Sequence, residues 1–189
     1  MPTNNNTAAN VSVGKPKVTG AIWRAPAGTT VPTSATASLA AAFKCLGYVS
    51  EDGLTNTNSP ETEEIKAWGG DVVLNPFTGK SDIFKFKLIE VLNAEVLKAV
   101  YGSSNVTGAV ATGLTITANA TDVADAVWVY ETILTGGVCK RIVVPSGKIT
   151  EIGDIVYKDN EAIGYDLTVT AHPDSDGNTH YEYIKQGST

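Results

Sequence analysis

The feature that most constrains the fold is an alternation of apolar and polar side chains with a period of two residues. In residues 161–172, one set of alternate positions is Ile163, Tyr165, Leu167, Val169 and Ala171, and the other is Ala162, Gly164, Asp166, Thr168 and Thr170. Residues 81–90 repeat the pattern, with Phe84, Phe86 and Leu88 on one face and Lys85 and Lys87 on the other. Such alternation is typical of β-strands with one face in a core and one in water.

Turn-forming residues divide the second half of the chain into further strands. Glycine, proline, aspartate and asparagine concentrate at 136–137, 145–147, 159–160 and 176–178, and these residue types favour turns between strands. They separate predicted strands at 114–118, 126–134, 138–144, 148–158, 161–172 and 180–185. In the first half we predict strands at 17–24, 46–49 and 61–68, and one helical turn at 39–44.

One segment predicts a true α-helix, about two turns long. Asn93 is placed to act as the N-cap, Glu95 lies in the first turn and Gly102 ends the pattern. The apolar residues between them recur at helical spacing. The sequence therefore predicts a mainly β protein: a single-domain β-sandwich or barrel with one short flanking α-helix. Residues 1–10 are expected to form a flexible arm, and residues 11–189 the β domain.

Nearly all of the net charge lies in one segment, residues 50–71. This segment contains six carboxylates (Glu51, Asp52, Glu61, Glu63, Glu64 and Asp71) and one cation, Lys66, so it carries −5 of the total charge of −6. The rest of the chain is close to neutral and rich in aliphatic residues. A long polar segment of one sign favours a projecting interaction element over a catalytic cleft. We predict a long acidic loop or hairpin arm.

Composition argues against several classes of protein. The isoelectric point of about 4.9 argues against sequence-independent binding of nucleic acid, which requires a basic face. No apolar run approaches the ~18 residues of a membrane span, and residues 1–10 lack the features of a secretory signal. We therefore expect no membrane partner and a protein made in the cytoplasm. Cys45 and Cys139 are expected to be free, buried thiols.

Motifs that resemble catalytic or metal sites fail on spacing. Residues 79–81 resemble the end of a phosphate-binding loop, but no glycine stands at the required earlier position. Residues 174–178 resemble the start of a calcium loop, yet the glycine comes too early. His172 and His180 suggest a triad or a two-histidine metal site, but further ligands and an oxyanion pocket are missing, which favours edge-strand histidines. We expect no catalytic residue, metal or cofactor.

Three stretches together resemble the major tail (tail tube) proteins of long-tailed bacteriophages. They are residues 13–33, 46–54 and 59–71, and the likeness extends from about residue 11 to residue 184. The resemblance implies a β-sandwich or barrel with one flanking helix and no active site. It also implies sixfold rings that stack into a hollow tube through a long loop or hairpin and the terminal arms. The expected partners are copies of the same chain and other tail proteins at the tube ends, and the expected location is the virion tail, assembled in the host cytoplasm.

This resemblance assigns roles to two groups of residues. The predicted contacts between protomers or rings are Glu51, Asp52, Glu61, Glu63, Glu64 and Trp68. The predicted lumen wall, which DNA passes without specific binding, is Glu151, Asp154, Asp166, Thr168 and Thr170. Strand 161–172 carries no cation on its polar face, which suits a wall that repels phosphate groups. The alternative is a β-sandwich binding module, an adhesin or carbohydrate-binding domain that uses Trp68 or Trp23.

Overall fold

The computed structural model describes residues 6–187, in which thirteen strands and one α-helix form. The strands are β1 Gly14–Pro16, β2 Ile22–Pro26, β3 Lys44–Cys45, β4 Val49–Thr62, β5 Ile65–Lys66, β6 Val72–Leu74, β7 Phe77–Leu88, β8 Val106–Ala109, β9 Gly113–Ile116, β10 Ala126–Leu134, β11 Val138–Ile152, β12 Tyr165–His172 and β13 Tyr181–Gln186, and the helix is α1 Ala94–Tyr101. Short 3-10 turns occur at Ala8–Asn10, Ser103–Asn105 and Thr135–Gly137. The prediction of a mainly β, sandwich-like domain with one short helix is confirmed.

Nine of the strands form one antiparallel sheet. Its main order is β3-β2-β10-β11-β12-β7-β4, while β1 pairs with the end of β10 that β2 leaves free, and β13 pairs with the first half of β11. Two small hairpins, β5-β6 and β8-β9, stand outside this sheet. All of these pairs are antiparallel, although several of them, such as β2 with β10 and β7 with β12, join strands that are distant in the sequence.

Apolar side chains are buried on both faces of β10, in the middle of the sheet. Trp128 and Tyr130 lie in a large cluster that also contains Phe84, Phe86 and the buried side of α1. Val127 and Val129 point to the other face, into a smaller cluster. The loop between β2 and β3 supplies Phe43 to that smaller cluster, and Tyr181 and Tyr183 of β13 pack against it. A strand buried on both faces anchors the sheet.

The helix forms as its sequence signals predict. The Asn93 side chain accepts a hydrogen bond from the Glu95 backbone N–H at 3.0 Å, and Gly102 ends the helix at a φ of 91°. Val96, Leu97, Ala99 and Val100 are buried. A helix of eight residues is too short to be stable alone in water, so its packing against the larger cluster maintains it.

Strand β11 contradicts one of the predicted turns. The sequence places a turn at residues 145–147, but the structure continues a single strand of 15 residues through Pro145. Proline is tolerated because β11 changes partners there: residues 138–143 pair with β13, and residues 146–152 pair with β12. The chain then leaves the sheet, so the predicted strand at 148–158 ends at Ile152.

Other local predictions in the first half were also wrong. Residues 39–44 form no helical turn, since Phe43 is drawn into the smaller cluster and the chain extends into β3. The predicted strand at 17–24 forms only from Ile22 onward, as β2. Residues 17–20 instead make a turn, in which the Gly20 N–H donates to the Lys17 carbonyl at 3.0 Å and Gly20 has a φ of 137°. Strand β8 was not predicted. Cys45 and Cys139 are free but only half-buried.

The predicted N-terminal arm lies partly outside the described residues, since residues 1–5 are not included. Within it, the 3-10 turn is capped by Thr7, whose side chain accepts a hydrogen bond from the Ala9 N–H. All of residues 6–10 are exposed.

Candidate functional site

A long hairpin arm is built by β4 and β7. Their pairing runs to Thr62 opposite Phe77, whereas β12 pairs only with residues 83–88 of β7. The outer part of the arm therefore has no further strand beside it among residues 6–187. The predicted hairpin arm is present, but the predicted strand at 61–68 is wrong: β4 ends at Thr62, and the tip folds into the small β5-β6 hairpin.

The carboxylates predicted to form one contact surface lie at two ends of this arm. Glu51 and Asp52 are exposed at its base, where the β4 register shifts between Val49 and Leu54. Glu61, Glu63 and Glu64 are exposed at the tip. Asp52 and Glu61 are nine positions apart along β4, which corresponds to a distance of roughly 30 Å at the usual rise per residue. The structure therefore divides the predicted surface into a base and a tip.

The tip also carries exposed apolar side chains, of which only Trp68 was singled out from the sequence. Trp68 is fully exposed, and Val73, Leu74 and Phe77 each keep more than half of their surface in water. Every residue from 55 to 75 is exposed. An isolated two-stranded hairpin is only marginally stable in water, and contiguous exposed apolar surface marks interaction sites. We call residues 61–77 the arm tip, and its surface is suited to docking.

Four of the predicted lumen residues, Glu151, Asp166, Thr168 and Thr170, lie on one polar face of the sheet, and Asp154 lies just beyond the end of β11. The Thr168 hydroxyl donates a hydrogen bond to Glu151 at 3.2 Å, and the Thr150 and Thr170 hydroxyls are 2.8 Å apart. Asp166 is exposed on the same strand face. Asp154 follows Gly153, whose N–H donates to the Asp166 carbonyl at 2.8 Å.

Lysines from neighbouring strands make this face mixed in charge. Lys85 lies opposite Thr168, and Lys87 lies opposite Asp166. Lys148 lies opposite Thr170 and forms an ion pair with Asp122, whose hydrogen bond raises the pKa of Lys148. The polar face of β12 itself carries no lysine or arginine, as expected. The same face of the whole sheet does carry lysines, which β7 and β11 supply. The sequence pattern of residues 81–90 already placed Lys85 and Lys87 on a polar face. It did not show that these lysines lie opposite Thr168 and Asp166, because that depends on how β7 pairs with β12.

The two histidines bind different carboxylates and do not form a joint site. His172 Nδ1 lies 3.0 Å from Asp125, and His180 Nδ1 is within hydrogen-bond distance of Asp82. Asp82 is buried and also accepts hydrogen bonds from Asn56 at 2.8 Å and Thr179 at 2.6 Å. Burial alone raises the pKa of Asp82, but these hydrogen bonds outweigh it and lower the pKa. This cluster joins β4, β7 and the segment before β13.

A second buried charge cluster supports a cleft beside β1. Glu131 accepts hydrogen bonds from Arg141 and from Lys17, the latter at 3.0 Å. Arg141 also donates to the Ser34 carbonyl at 2.6 Å, which ties the loop between β2 and β3 to the sheet. The adjacent cleft has a volume of about 380 Å³ and is lined by Lys17, Trp23, Leu39, Phe43, Glu131 and Arg141. We call it the basic cleft, because two cations share one carboxylate there.

The remaining motifs serve the fold. Residues 79–81 lie within β7. In the 174–178 turn, Asp174 accepts hydrogen bonds from the backbone N–H groups of Asp176 and Asn178, each at 3.0 Å, so its oxygens are used locally. Within residues 6–187, no three side chains of the histidine, cysteine, aspartate and glutamate types gather in a metal-binding group. In the same range, no helix has the length and apolar character needed to cross a membrane.

Comparison of the sequence with models of known protein families identifies the family of this chain. Residues 3–188 match the model of a family described as phage tail tube protein. The chain belongs to this phage tail tube protein family. It is therefore a structural component of a phage tail.

Comparisons with individual proteins add less for this tail tube protein. A search of curated proteins gave no match. One similar solved structure is the tube-terminating cap of the anti-feeding prophage, determined by cryo-EM. It shares 9% sequence identity with a TM-score of 0.43, over 96% of this chain and 98% of that chain.

Proposed function

We propose that this tail tube protein forms sixfold rings that stack into the hollow tube through which phage DNA passes. The observation that carries the proposal is the exposed apolar surface of the arm tip, where Trp68 is fully exposed. Exposed apolar surface of this kind marks a site where another molecule binds. A projecting arm and a separate receiving surface on the same chain produce a head-to-tail contact, which closes into rings or extends into filaments.

The polar face of β11, β12 and β7 is the proposed wall of the lumen. Glu151, Asp154 and Asp166 supply carboxylates that repel phosphate at short range. Lys85 and Lys87 lie beside Thr168 and Asp166, so the nearby carboxylates partly compensate the lysine charges. Contacts between cations and phosphate groups dominate the non-specific affinity of proteins for DNA. Lysines whose charge is balanced by nearby carboxylates therefore bind passing DNA only weakly.

A binding module remains the second candidate because Trp68 is exposed as carbohydrate platforms are. Trp23 does not suit this role: it is half-buried, and its Nε1 donates a hydrogen bond to the Gly20 carbonyl at 3.2 Å. A binding module would remain monomeric, whereas a tube protein assembles. The oligomeric state therefore distinguishes the two functions.

The decisive experiment shortens the arm without disturbing the core. Residues 63–76 are replaced by Asn-Gly, which closes Thr62 and its partner Phe77 with a two-residue hairpin turn. Removing more of β4, including Asn56, would destroy a hydrogen bond to buried Asp82. We expect an unchanged circular dichroism spectrum and loss of assembly in sedimentation and negative-stain microscopy.

Point variants provide a matched comparison for this truncation. Trp68→Ala should impair assembly, while Tyr157→Ala, which removes another exposed aromatic outside the arm, should not. Sixfold rings and tubes are expected from the unmodified chain. A monomeric unmodified chain, or normal tubes from the shortened one, would contradict the proposal.

A further inference from the structure

Opposite charges are segregated between neighbouring parts of the sequence. Residues 1–49 contain four cations (Lys15, Lys17, Arg24 and Lys44) and no carboxylate, whereas residues 50–71 carry a net charge of −5. Within residues 6–187 no ion pair joins the two sets. Lys17 pairs with Glu131, and in the arm only Glu64 has a basic partner, the adjacent Lys66 at 3.2 Å. Most of these charges therefore remain uncompensated within one chain.

Three of these four cations lie at or near the basic cleft, whereas Arg24 packs over Trp128 on the other face of the sheet. Lys17 lines the cleft, and Lys15 lies two residues earlier, at the alternate position of the same extended segment. Lys44 Nζ donates a hydrogen bond to the carbonyl of Ala41, which also lines the cleft, at 3.1 Å. Neither Lys15 nor Lys44 has a carboxylate partner in the described part of the chain. The rim of the cleft is therefore positively charged.

The inside of the cleft is partly apolar. Trp23, Leu39 and Phe43 line it, and beside them Arg141 and Lys17 share the single carboxylate of Glu131. The cleft and its immediate support thus carry an excess positive charge. An apolar floor with a charged rim is the arrangement found in specific protein interfaces.

The arm tip has the complementary arrangement. Trp68 is exposed at its centre, while Glu63, Glu64 and Asp71 lie close to it in the sequence. A tryptophan that fills a pocket is a typical anchor of an interface, and opposite charges at the rim fix orientation and exclude wrong partners. A cleft of about 380 Å³ is suited to one large aromatic side chain.

We infer that the arm tip of one copy docks into the basic cleft of the next copy, with Trp68 as the anchor. The inference rests on the proposed self-assembly and names the surface that receives the arm. The strand order agrees with it: β4 lies at one end of the sheet and β3, with Lys44, at the other. Because donor and acceptor are different surfaces, every copy offers one of each and the contact repeats.

Two charge-reversed variants test this contact. Variant A carries Glu61→Lys and Glu63→Lys in the arm tip, and variant B carries Lys15→Glu and Lys44→Glu at the cleft. Lys17 is left unchanged because it contacts buried Glu131. In each variant the tip and the cleft have like charges, so the concentration needed for assembly, measured by sedimentation, should rise by about tenfold or more.

An equimolar mixture of A and B should assemble again. The cationic arm of A meets the anionic cleft of B, and the anionic arm of B meets the cationic cleft of A. A control with Lys158→Glu and Lys185→Glu changes the net charge as variant B does, outside both surfaces, and should assemble as the unmodified chain does. A benzoylphenylalanine cross-linker in place of Trp68 should label residues 36–43 of another copy.

The outcomes distinguish failure of the inferred contact from failure of the proposed tube function. If the unmodified chain assembles but the mixture of A and B does not, or if the cross-linker labels another segment, the inferred contact is wrong and the tube function stands. If the unmodified chain remains monomeric, the proposed function fails and the contact fails with it. Restoration in the mixture, together with labelling of residues 36–43, establishes the contact.

Discussion

Replacing Glu131 by glutamine tests whether the buried charge cluster holds β1 and the cleft in place. The side chains of Glu131 and Arg141 are only 4% and 2% exposed, so water does not screen their interaction. Removing the carboxylate leaves the Arg141 guanidinium buried with an uncompensated charge. Breaking a buried pair in this way costs about 3–5 kcal/mol. Since glutamine still accepts one hydrogen bond, we expect a loss of about 3 kcal/mol in the free energy of unfolding.

Urea unfolding followed by tryptophan fluorescence measures this loss, at protein concentrations where sedimentation shows monomers. For a chain of this length the melting temperature should fall by about 6–12 °C. Lys17→Gln is the control: the Lys17 side chain is 30% exposed, so its loss should cost less than about 1 kcal/mol.

The double variant Glu131→Leu with Arg141→Met removes both charges and should be more stable than Glu131→Gln. A loss below about 1 kcal/mol for Glu131→Gln, or a double variant no more stable than the single one, would refute the reasoning.

Two further predictions concern acid stability and the lumen. Because the pKa of Asp82 is lowered in the folded protein, its contribution to stability is present above the unfolded pKa of about 4 and is lost as pH falls below it. Asp82→Asn should therefore be less stable at pH 7 and lose less stability between pH 4 and pH 2; equal pH dependence in urea unfolding would contradict this. Asp166→Lys with Thr168→Lys should still permit tubes, since like charges opposite Lys87 and Lys85 cost about 0.2–1 kcal/mol per pair. It should also slow DNA release from particles, most at low salt, and normal release would remove Asp166 from the lumen wall.

Local sequence signals predicted the elements whose pattern is set by their own residues. β12, β7 and β10 follow from alternation or a continuous apolar run, and Phe84, Phe86 and Leu88 are buried as predicted. The helix follows from its Asn93 cap and its Gly102 stop. These signals are short in range, so one sequence is sufficient to read them.

Features that depend on pairing between distant segments were not predictable in the same way. The ion pair of Glu131 with Arg141 requires the register of β10 on β11, and the mixed charge of the polar face requires that of β12 on β7. Pro145 was interpreted as a turn, although a change of strand partners permits it within β11. The acidic segment was recognised, but its separation into a base and a tip depends on the length of β4.

The continuity of β11 has a mechanical consequence. One uninterrupted backbone connects the part of the sheet beside β13 with the part beside β12, while β10 pairs along most of its other edge. A force along this strand must shear the hydrogen bonds to three partners together, because those bonds lie perpendicular to the strand direction. Tension is then shared among many bonds, none of which bears the full load. We therefore expect β11 to make the body of the protein resistant to extension along the direction of this strand.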